Sequence, residues 1–222
     1  MQVKLISYSK PSRELVNDGL YDVQELIAFC ARVSNPSNQF NTETSEKLIS
    51  YLVKHQHWSP LEMVSACLEV TTTRDIARQI LRHRSFSFQE FSQRYADPTK
   101  DLDFVLREAR LQDTKNRQNS IETDNPELQA WWNAKQQFLI NYVKEVYADA
   151  LAKGMAKEQA RAILPEGLTA SRMYMNGTLR SWIHFIQVRS GNGTQKEHME
   201  VAREVAKVIA EIFPLAEQFV TQ

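Results

Sequence analysis

Apolar residues recur along the chain with the spacings of half-buried strands and of amphipathic helices. Alternation of apolar and polar residues predicts strands over residues 2–8, 63–72 and 169–176. Apolar residues three and four positions apart predict helices over 22–33, 42–55, 74–81, 125–153, 157–164 and 178–189, and a final helix from 194. We therefore expect an α+β fold, with a mixed or antiparallel central sheet flanked by helices and a helix-rich C-terminal half.

Two of the predicted helices carry end signals. Pro126 in the first turn and Gly154 beyond the last predict the ends of the longest helix. Thr194 and Glu197 have the spacing of a capping box, which predicts that the final helix begins at Thr194. After Arg84, Ser85, Ser87, Ser92 and Gln93 predict a loop with many hydroxyl donors.

The longest predicted helix carries an apolar stripe, and the segment before it is polar and basic. The helix has an apolar stripe, which we expect to face inward as core or subunit contact: Trp131, Phe138, Tyr142 and Val146. Residues 102–106 resemble a short strand. The basic stretch 107–117 is interpreted as solvated, and the alternative is that it holds a phosphate or the glutamates of a pterin.

Composition narrows the function classes. The 222 residues suit one domain over 1–222, and 42% hydrophobic with 24% charged residues is ordinary for a globular protein. The 27 basic and 27 acidic residues balance, which argues against general nucleic-acid binding, so any anion site must be local. No apolar run approaches ~20 residues, and the chain start lacks a signal-peptide layout, so we expect no membrane association.

The two cysteines, Cys30 and Cys67, do not make a disulfide framework, which predicts a reducing, cytoplasmic location. Both are interpreted as core residues. His55, His57 and Glu62 could suggest a metal, but no further ligands stand at zinc-site spacing, so we expect none.

Arginine is concentrated in one segment. Residues 74–95 contain five arginines and no lysine: Arg74, Arg78, Arg82, Arg84 and Arg94. A guanidinium is a planar fork that keeps its charge and pairs bidentately with phosphate. Gln79 and His83 are four residues apart and share the polar flank of the predicted helix. The segment therefore predicts a site for shaped anions, although a solvated helix end is the commoner origin of a lone charge run.

Several familiar ligand and nucleophile motifs are missing. The chain has no Gly-x-Gly-x-x-Gly after a strand and no phosphate-binding Gly-Lys-Ser loop. It also lacks a Gly-x-Ser-x-Gly elbow. Ser92 is interpreted as a binding residue rather than a nucleophile, because no histidine or carboxylate is evidently placed to deprotonate it.

Arg82-His83-Arg84, followed after seven residues by Ser92-x-Arg94, resembles the signature of flavin-dependent thymidylate synthases. Tyr95 also fits this signature. Residues 57–62, 160–165 and 180–189 resemble further family motifs in the same order, and the resemblance extends back to Ala31-Arg32-Val33-Ser34. It therefore covers nearly the whole chain.

The resemblance implies a homotetramer with FAD at its subunit junctions. Such an enzyme methylates dUMP to dTMP, with methylenetetrahydrofolate as carbon donor and NADPH as reductant. It would need no metal, nucleic acid or membrane. FAD would not be held in the Rossmann manner, and no cysteine would attack the uracil ring.

The resemblance also implies roles for individual residues. Arg189 would be catalytic, its guanidinium stabilising the ring anion formed when N3 loses its proton. The implied FAD contacts are His57, Ser59, Arg82, His83, Arg84, Glu90, Thr178, Arg180 and His184. The implied nucleotide contacts are Gln79, Arg82, Glu90, Ser92, Gln93, Arg94, Arg161 and Arg189.

One departure from the family pattern leaves a contact open. Family members often have an asparagine closely followed by Arg-Ser, but here Asn176 lies further upstream of Arg180-Ser181, so either Thr178 or Asn176 would touch the flavin. The alternative function is a nucleotide- or nucleic-acid-binding module without catalysis. A structural helical protein would leave the arginine segment unexplained.

Overall fold

The computed structural model describes residues 1–221. The strands are β1 (Gln2–Tyr8), β2 (Ser65–Thr73), β3 (Ser87–Glu90), β4 (Arg110–Gln112), β5 (Ser120–Glu122) and β6 (Ala170–Thr178). The helices are α1 (Arg13–Asn17), α2 (Val23–Ala31), α3 (Ser45–Lys54), α4 (Arg74–Ile80), α5 (Pro98–Asp101), α6 (Pro126–Ala152), α7 (Lys157–Ala160), α8 (Leu179–Arg189) and α9 (Lys196–Ala210). Short 3-10 turns cover Pro36–Asn38, Ser59–Glu62, Arg161–Ile163 and Pro214–Phe219.

Four strands form one antiparallel sheet in the order β1-β2-β6-β3. Leu68 pairs with Met175 across the two central strands, and both side chains are fully buried. Because strand side chains alternate between faces, Tyr174 and Asn176, which precede and follow Met175 in β6, are exposed on the other face of the sheet. The predicted α+β class is confirmed, and every strand pair in this sheet is antiparallel.

Helices α4, α8 and α9 cover the buried face of the sheet. Trp182 of α8 is fully buried, and its indole Nε1 donates to the carbonyl of Ala66 at 3.0 Å. Val205 and Ile209 complete the core from α9. Each large side chain buried here contributes ~1.5–3 kcal/mol. This packing fixes the rotation of α8 and turns its polar flank, with Arg180 and His184, to the outside.

The predicted ends of the longest helix are confirmed. Asn125 caps α6 by accepting from the backbone N–H groups of Glu127 and Leu128, and Pro126 occupies the first turn. Gly154 follows the helix with φ of 81°, a conformation that favours glycine. No helix within residues 1–221 is both long and apolar enough to cross a membrane.

Three local predictions are wrong. The predicted loop after Arg84 contains β3 at Ser87–Glu90, because these four residues pair with β6. Residues 102–106 form only an isolated bridge, between Phe104 and Thr169. Helix α9 begins at Lys196 without a side-chain cap, because Glu197 binds arginines from a distant segment instead of closing a capping box.

The apolar stripe of α6 faces outward. Trp131, Phe138 and Tyr142 are 55%, 72% and 57% exposed. The buried side of the helix carries Gln136, Ile140, Val143 and Tyr147 instead. Val146, the fourth predicted residue of the stripe, is half-buried. The prediction that the stripe forms core is therefore wrong for the other three residues, and the alternative, a subunit contact, stays a prediction.

Candidate active site

The arginine segment follows α4 and is anchored by one aromatic side chain. Phe86 is buried, and its ring lies 4.6 Å from that of Trp182, edge to face. Gly177 of β6 lies against the same ring, because a Cβ at this position would come within 2.6 Å of Phe86 Cε1. This packing fixes the turn that carries Arg82, His83 and Arg84.

Four predicted residues lie together where α4 ends and α8 ends, and we call Gln79, Arg82, His83 and Arg189 the guanidinium cluster. Arg189 Nε donates to His83 Nε2 at 2.9 Å. Burial lowers the pKa of Arg189, and the neighbouring charge of Arg82 lowers it further. Within residues 1–221 neither guanidinium has an ion-paired carboxylate, whereas Arg74 and Arg78 each pair with a glutamate. Two cations without a counter-charge make this surface suited to an anion.

His83 is neutral at physiological pH. Burial lowers its pKa to about 4, and the charge of Arg189 acts in the same direction. Its ring packs edge to face on Phe185 at 5.0 Å. A neutral ring nitrogen can accept a hydrogen bond from Arg189 without cancelling the positive charge. His83 therefore orients Arg189, a contact that the sequence did not predict.

A row of polar residues behind Gln79 was also not predicted. Gln79 Nε2 donates to Gln195 Oε1 at 2.8 Å, and Gln195 Nε2 donates to Glu197 Oε2 at 3.0 Å. On the other side, His198 Nδ1 lies 3.1 Å from Gln79 Oε1. His198 is fully buried. The sequence did carry a signal that His198 is buried, because it lies on the apolar face of α9 that Val201, Ala202 and Val205 continue.

Part of the basic stretch 107–117 is half-buried, since the side chains of Arg107 and Arg110 are only 14% and 13% exposed, so its interpretation as solvated is wrong for these two arginines. Arg107 pairs with Asp75 and Glu197 at 2.8 Å each, and Arg110 pairs with Glu197. Burial alone would raise the pKa of Glu197, but hydrogen bonds from Arg110 and Arg107 outweigh it and lower the pKa to about 2. These arginines join the hairpin β4–β5 to α9.

A second set of predicted residues lies around the far end of β3. Glu90, Ser92, Gln93 and Arg94 end that strand or follow it, and Arg161 opens the 3-10 turn after α7, the helix whose Glu158 pairs with Arg94. We call these five residues the serine–arginine group. Glu90 accepts from Ser171 at 2.6 Å, and Arg94 pairs with Glu158 at 3.3 Å on the surface. Gln93 is 4% exposed, and its Nε2 has no partner within residues 1–221. An unpaired buried donor favours an additional acceptor from a ligand or another chain.

The third set lies where α8 begins, and we call His57, Ser59, Thr178, Arg180 and His184 the helix-start group. Arg180 forms an ion pair with Glu62 and so joins α8 to the 3-10 turn that Ser59 opens. Thr178 caps α8 by accepting from the Ser181 N–H at 3.3 Å. Asn176 is exposed on β6 opposite Ser87. The hydroxyl of Thr178 is thus already engaged, while the Asn176 amide makes no side-chain hydrogen bond within residues 1–221.

The guanidinium cluster and the serine–arginine group are separated along the fold. The four residues of β3 span ~10 Å, and Arg84 precedes this strand while Ser92 follows it. Arg82, Arg84, Ser92 and Arg94 are exposed on the surface. The structure therefore brings the predicted residues together in three groups rather than in one enclosed pocket, and the exposed Arg84 belongs to none of the three.

The cysteines are poorly placed for nucleophilic chemistry. Cys30 and Cys67 are both half-buried, and burial raises the pKa of each thiol. A raised pKa reduces the thiolate fraction, which is the reactive form. Within residues 1–221, no three side chains of histidine, cysteine, aspartate or glutamate converge in a way that could hold a metal ion.

Comparison with known proteins identifies close relatives over almost the whole chain. The family model described as thymidylate synthase complementing protein matches residues 15–215. A probable flavin-dependent thymidylate synthase from Paramecium bursaria Chlorella virus 1 is 48% identical over 214 residues, 96% of each chain. A flavin-dependent thymidylate synthase from Synechocystis sp. (strain ATCC 27184 / PCC 6803 / Kazusa) is 49% identical over 215 residues, again 96% of each chain.

The fold of this chain is also similar to that of a protein whose structure has been solved. The UMP/dUMP methylase PolB from Streptomyces cacaoi, bound with 5-Br UMP, superimposes with a TM-score of 0.75 and 23% identity. The match covers 98% of this chain and 92% of the methylase chain. At this identity the likeness concerns the fold.

Proposed function

The chain belongs to the thymidylate synthase complementing protein family, together with the two flavin-dependent thymidylate synthases above, and from this premise we propose that it methylates dUMP to dTMP with FAD as cofactor. Methylenetetrahydrofolate would supply the carbon and NADPH the reducing electrons. The observation that supports this proposal most directly is the guanidinium cluster, because Arg82 and Arg189 lie close together without a carboxylate partner within residues 1–221.

The residues present fit FAD, which carries a pyrophosphate and a ring that becomes anionic on reduction. Arg82, Arg84 and Arg180 would meet these charges, together with Ser59 and His184. The uncompensated charge near Arg82 supports this fit, since an anion would relieve the repulsion between Arg82 and Arg189. When bound, FAD would supply hydride transfer, and the protein would contribute position and electrostatic field.

Arg189 is proposed to act on the uracil ring. Its Nε–H is held by neutral His83, which leaves the two terminal NH₂ groups free for a ligand. A fixed guanidinium stabilises the negative charge that develops when the ring loses its N3 proton. His83, which was predicted as a direct FAD contact, acts in this proposal by orienting Arg189. No thiol is required, in keeping with the raised pKa values of both cysteines.

The serine–arginine group is proposed to bind the phosphate of dUMP. Arg94 would exchange its exposed pair with Glu158 for the phosphate dianion, and Arg161 would add a second guanidinium. An exposed ion pair is worth only ~0–1 kcal/mol, so its exchange costs little. The unpaired Gln93 amide and the Ser92 hydroxyl supply further donors.

We propose that a second copy of the chain completes each site. One nucleotide would have to contact both the guanidinium cluster and the serine–arginine group, which lie at opposite ends of β3 on the open surface of one chain rather than in an enclosed cleft. Facing copies could bring the two groups into one cleft. The outward stripe of α6 supplies an apolar surface for such contacts, which supports the homotetramer implied by the family resemblance.

Three further assignments remain proposals. The whole chain would act as one domain, since one large core cluster joins β2, β6, α8 and α9. The compartment would be the reducing cytoplasm, as the cysteine usage indicates. Nucleic acids would not be partners, because the net charge of the chain is zero, and membranes would not be, because no apolar run approaches ~20 residues.

The visible absorption spectrum of the purified protein tests the proposal. We expect a yellow protein that bleaches with NADPH under anaerobic conditions and then forms dTMP when dUMP and methylenetetrahydrofolate are added. A colourless protein that binds nucleic acid with an affinity falling steeply with salt would instead support the binding-module alternative.

A further inference from the structure

Gln79 lies in the middle of a hydrogen-bonded row that runs from Glu197 to His198. The row contains Glu197, Gln195, Gln79 and His198, with heavy-atom distances of 3.0, 2.8 and 3.1 Å between neighbours. Gln195 directly precedes α9, and Glu197 and His198 lie in its first turn, whereas Gln79 belongs to α4. The row therefore fixes a side chain of the proposed nucleotide site from a different element.

The direction of every hydrogen bond in the row follows from its acidic end. Glu197 stays ionised because Arg110 and Arg107 pair with it, and a carboxylate only accepts hydrogen bonds. Gln195 must therefore turn its NH₂ group to Glu197 and its oxygen to Gln79. Gln79 must in turn give its NH₂ group to Gln195, which leaves its own oxygen facing His198. A flip of either amide would place two oxygens at hydrogen-bond distance.

The same order determines the tautomer of His198. Gln79 Oε1 accepts a hydrogen bond only if His198 Nδ1 carries the proton, so Nε2 is left as an acceptor. Nε2 is buried and has no partner within residues 1–221. A buried nitrogen without a partner costs free energy. His198 thus maintains the orientation of Gln79 through Nδ1, although its own Nε2 remains without a hydrogen-bond partner within residues 1–221.

We propose that His198 is a positioning residue for the nucleotide, because its Nδ1–H holds the Gln79 carboxamide in one orientation. An amide has two N–H donors and two oxygen lone pairs, and the row uses one of each. The remaining N–H and lone pair of Gln79 then point in fixed directions toward the surface. This inference rests on the proposed function, which assigns Gln79 to the nucleotide.

Two replacements at position 198 separate the hydrogen bond from the packing. His198→Leu keeps a similar volume but removes the donor, whereas His198→Asn can place an amide N–H near the position of Nδ1. Both variants are purified with FAD bound, and their flavin content and thermal unfolding report on folding. The dissociation constant for dUMP is measured by titration calorimetry, alone and in combination with Gln79→Ala.

We expect His198→Leu to weaken dUMP binding about tenfold, the cost of one well-placed hydrogen bond, and His198→Asn to stay within about threefold of wild type. In the Gln79→Ala background His198→Leu should cause no further loss, because its effect passes through Gln79. If the two losses simply multiply, His198 acts through packing and the positioning role is wrong.

The tautomer gives a second, independent readout. Nitrogen NMR of histidine-labelled wild-type enzyme should show His198 protonated at Nδ1 and not at Nε2. An Nε2–H signal would overturn the inference even if His198→Leu failed to fold. A wild-type enzyme that does not bind dUMP would overturn the proposed function, and with it the basis of this inference.

The single variants separate the remaining outcomes. If Gln79→Ala binds dUMP as wild type does, Gln79 does not contact the nucleotide and the inference fails while the proposed function stands. If Gln79→Ala weakens dUMP binding but His198→Leu does not, only the role of His198 is overturned.

Discussion

At the scale of single residues, the charge of Arg189 is usable because its anchor is neutral. A carboxylate at the position of His83 would hold the guanidinium equally well but would cancel its field. Burial prevents this histidine from becoming a cation, since it lowers the pKa of His83 to about 4. The site thus combines a rigid hydrogen bond with an uncompensated charge, which is the arrangement that electrostatic catalysis requires.

Replacement of Arg189 tests its catalytic role. We expect Arg189→Ala to retain FAD but to lose about 100-fold or more in dTMP formation, because a donor aimed at developing charge is removed. Steady-state rates with dUMP measure the effect. Arg117→Ala is the matched control, since Arg117 is exposed and remote in sequence from the cluster. Full turnover by Arg189→Ala would falsify the assignment.

The buried His198 makes stability depend on pH. Burial lowers its pKa to about 3, with a further contribution from Arg189, whereas the unfolded chain has the ordinary value near 6.5. Between these two values the unfolded state binds the additional proton, so stability falls as pH falls through this window. Below pH 6.5 we expect the free energy of unfolding of wild type to fall more steeply than that of His198→Asn, by ~1.4 kcal/mol for each pH unit.

Urea unfolding of both proteins at several pH values between 7 and 5 measures this difference. The carboxylates titrate alike in the two proteins, so the difference between them reports His198. Parallel stability curves would show that His198 has the same pKa in the folded and unfolded states, so that burial does not lower it.

At the scale of elements, the packing between β6 and the arginine segment holds the motif in place. Gly177 is needed because Phe86 occupies the space that a side chain would take. Gly177→Ala should destabilise the protein by ~1–3 kcal/mol, since the Phe86 ring is enclosed by Trp182 and cannot move freely.

Gly167→Ala is the matched control, because its added carbon would meet only Asp75 Oδ2, at an ordinary 3.9 Å. Thermal unfolding compares the two variants. Equal stability of both alanine variants would mean that Phe86 can repack and does not fix the motif.

Elements with long, regular patterns could be predicted from sequence, whereas those made by distant partners could not. Helix α6 combines 27 residues with a proline start and a glycine end, so its bounds followed from local signals. Strand β3 has only four residues and exists through pairing with β6, about 85 residues later in the chain. Glu197 suggested a cap, but its arginine partners lie in a segment without a clear pattern of its own.

At the scale of the whole molecule, the predicted site residues form separate groups on one chain. The motifs identified most of these residues, because each motif fixes residue types at set spacings. The sequence did not predict the contacts of His198 and Gln195 or the ion pairs of Arg107, since these contacts join segments that carry no shared motif. Tertiary packing alone brings them together.

Assembly can be tested at the outer face of α6. Phe138→Asp places a charge in the exposed apolar stripe, and we expect it to lower the oligomer mass and the dTMP-forming activity together, because an unpaired charge in an apolar interface is costly. Asn133→Asp adds the same charge at an exposed position of the same helix and should leave both unchanged. Sedimentation velocity gives the masses. An unaltered oligomer in Phe138→Asp would exclude this face from the subunit contacts.

The central claim is that arginine side chains, and not a thiol, act on a pyrimidine bound beside a flavin. A crystal structure of the protein with FAD and dUMP measures this directly. The account predicts that the guanidinium of Arg189 contacts the uracil ring while Arg82 lies within hydrogen-bond distance of the flavin or the nucleotide. Guanidinium groups that point into solvent, far from both ligands, would contradict it.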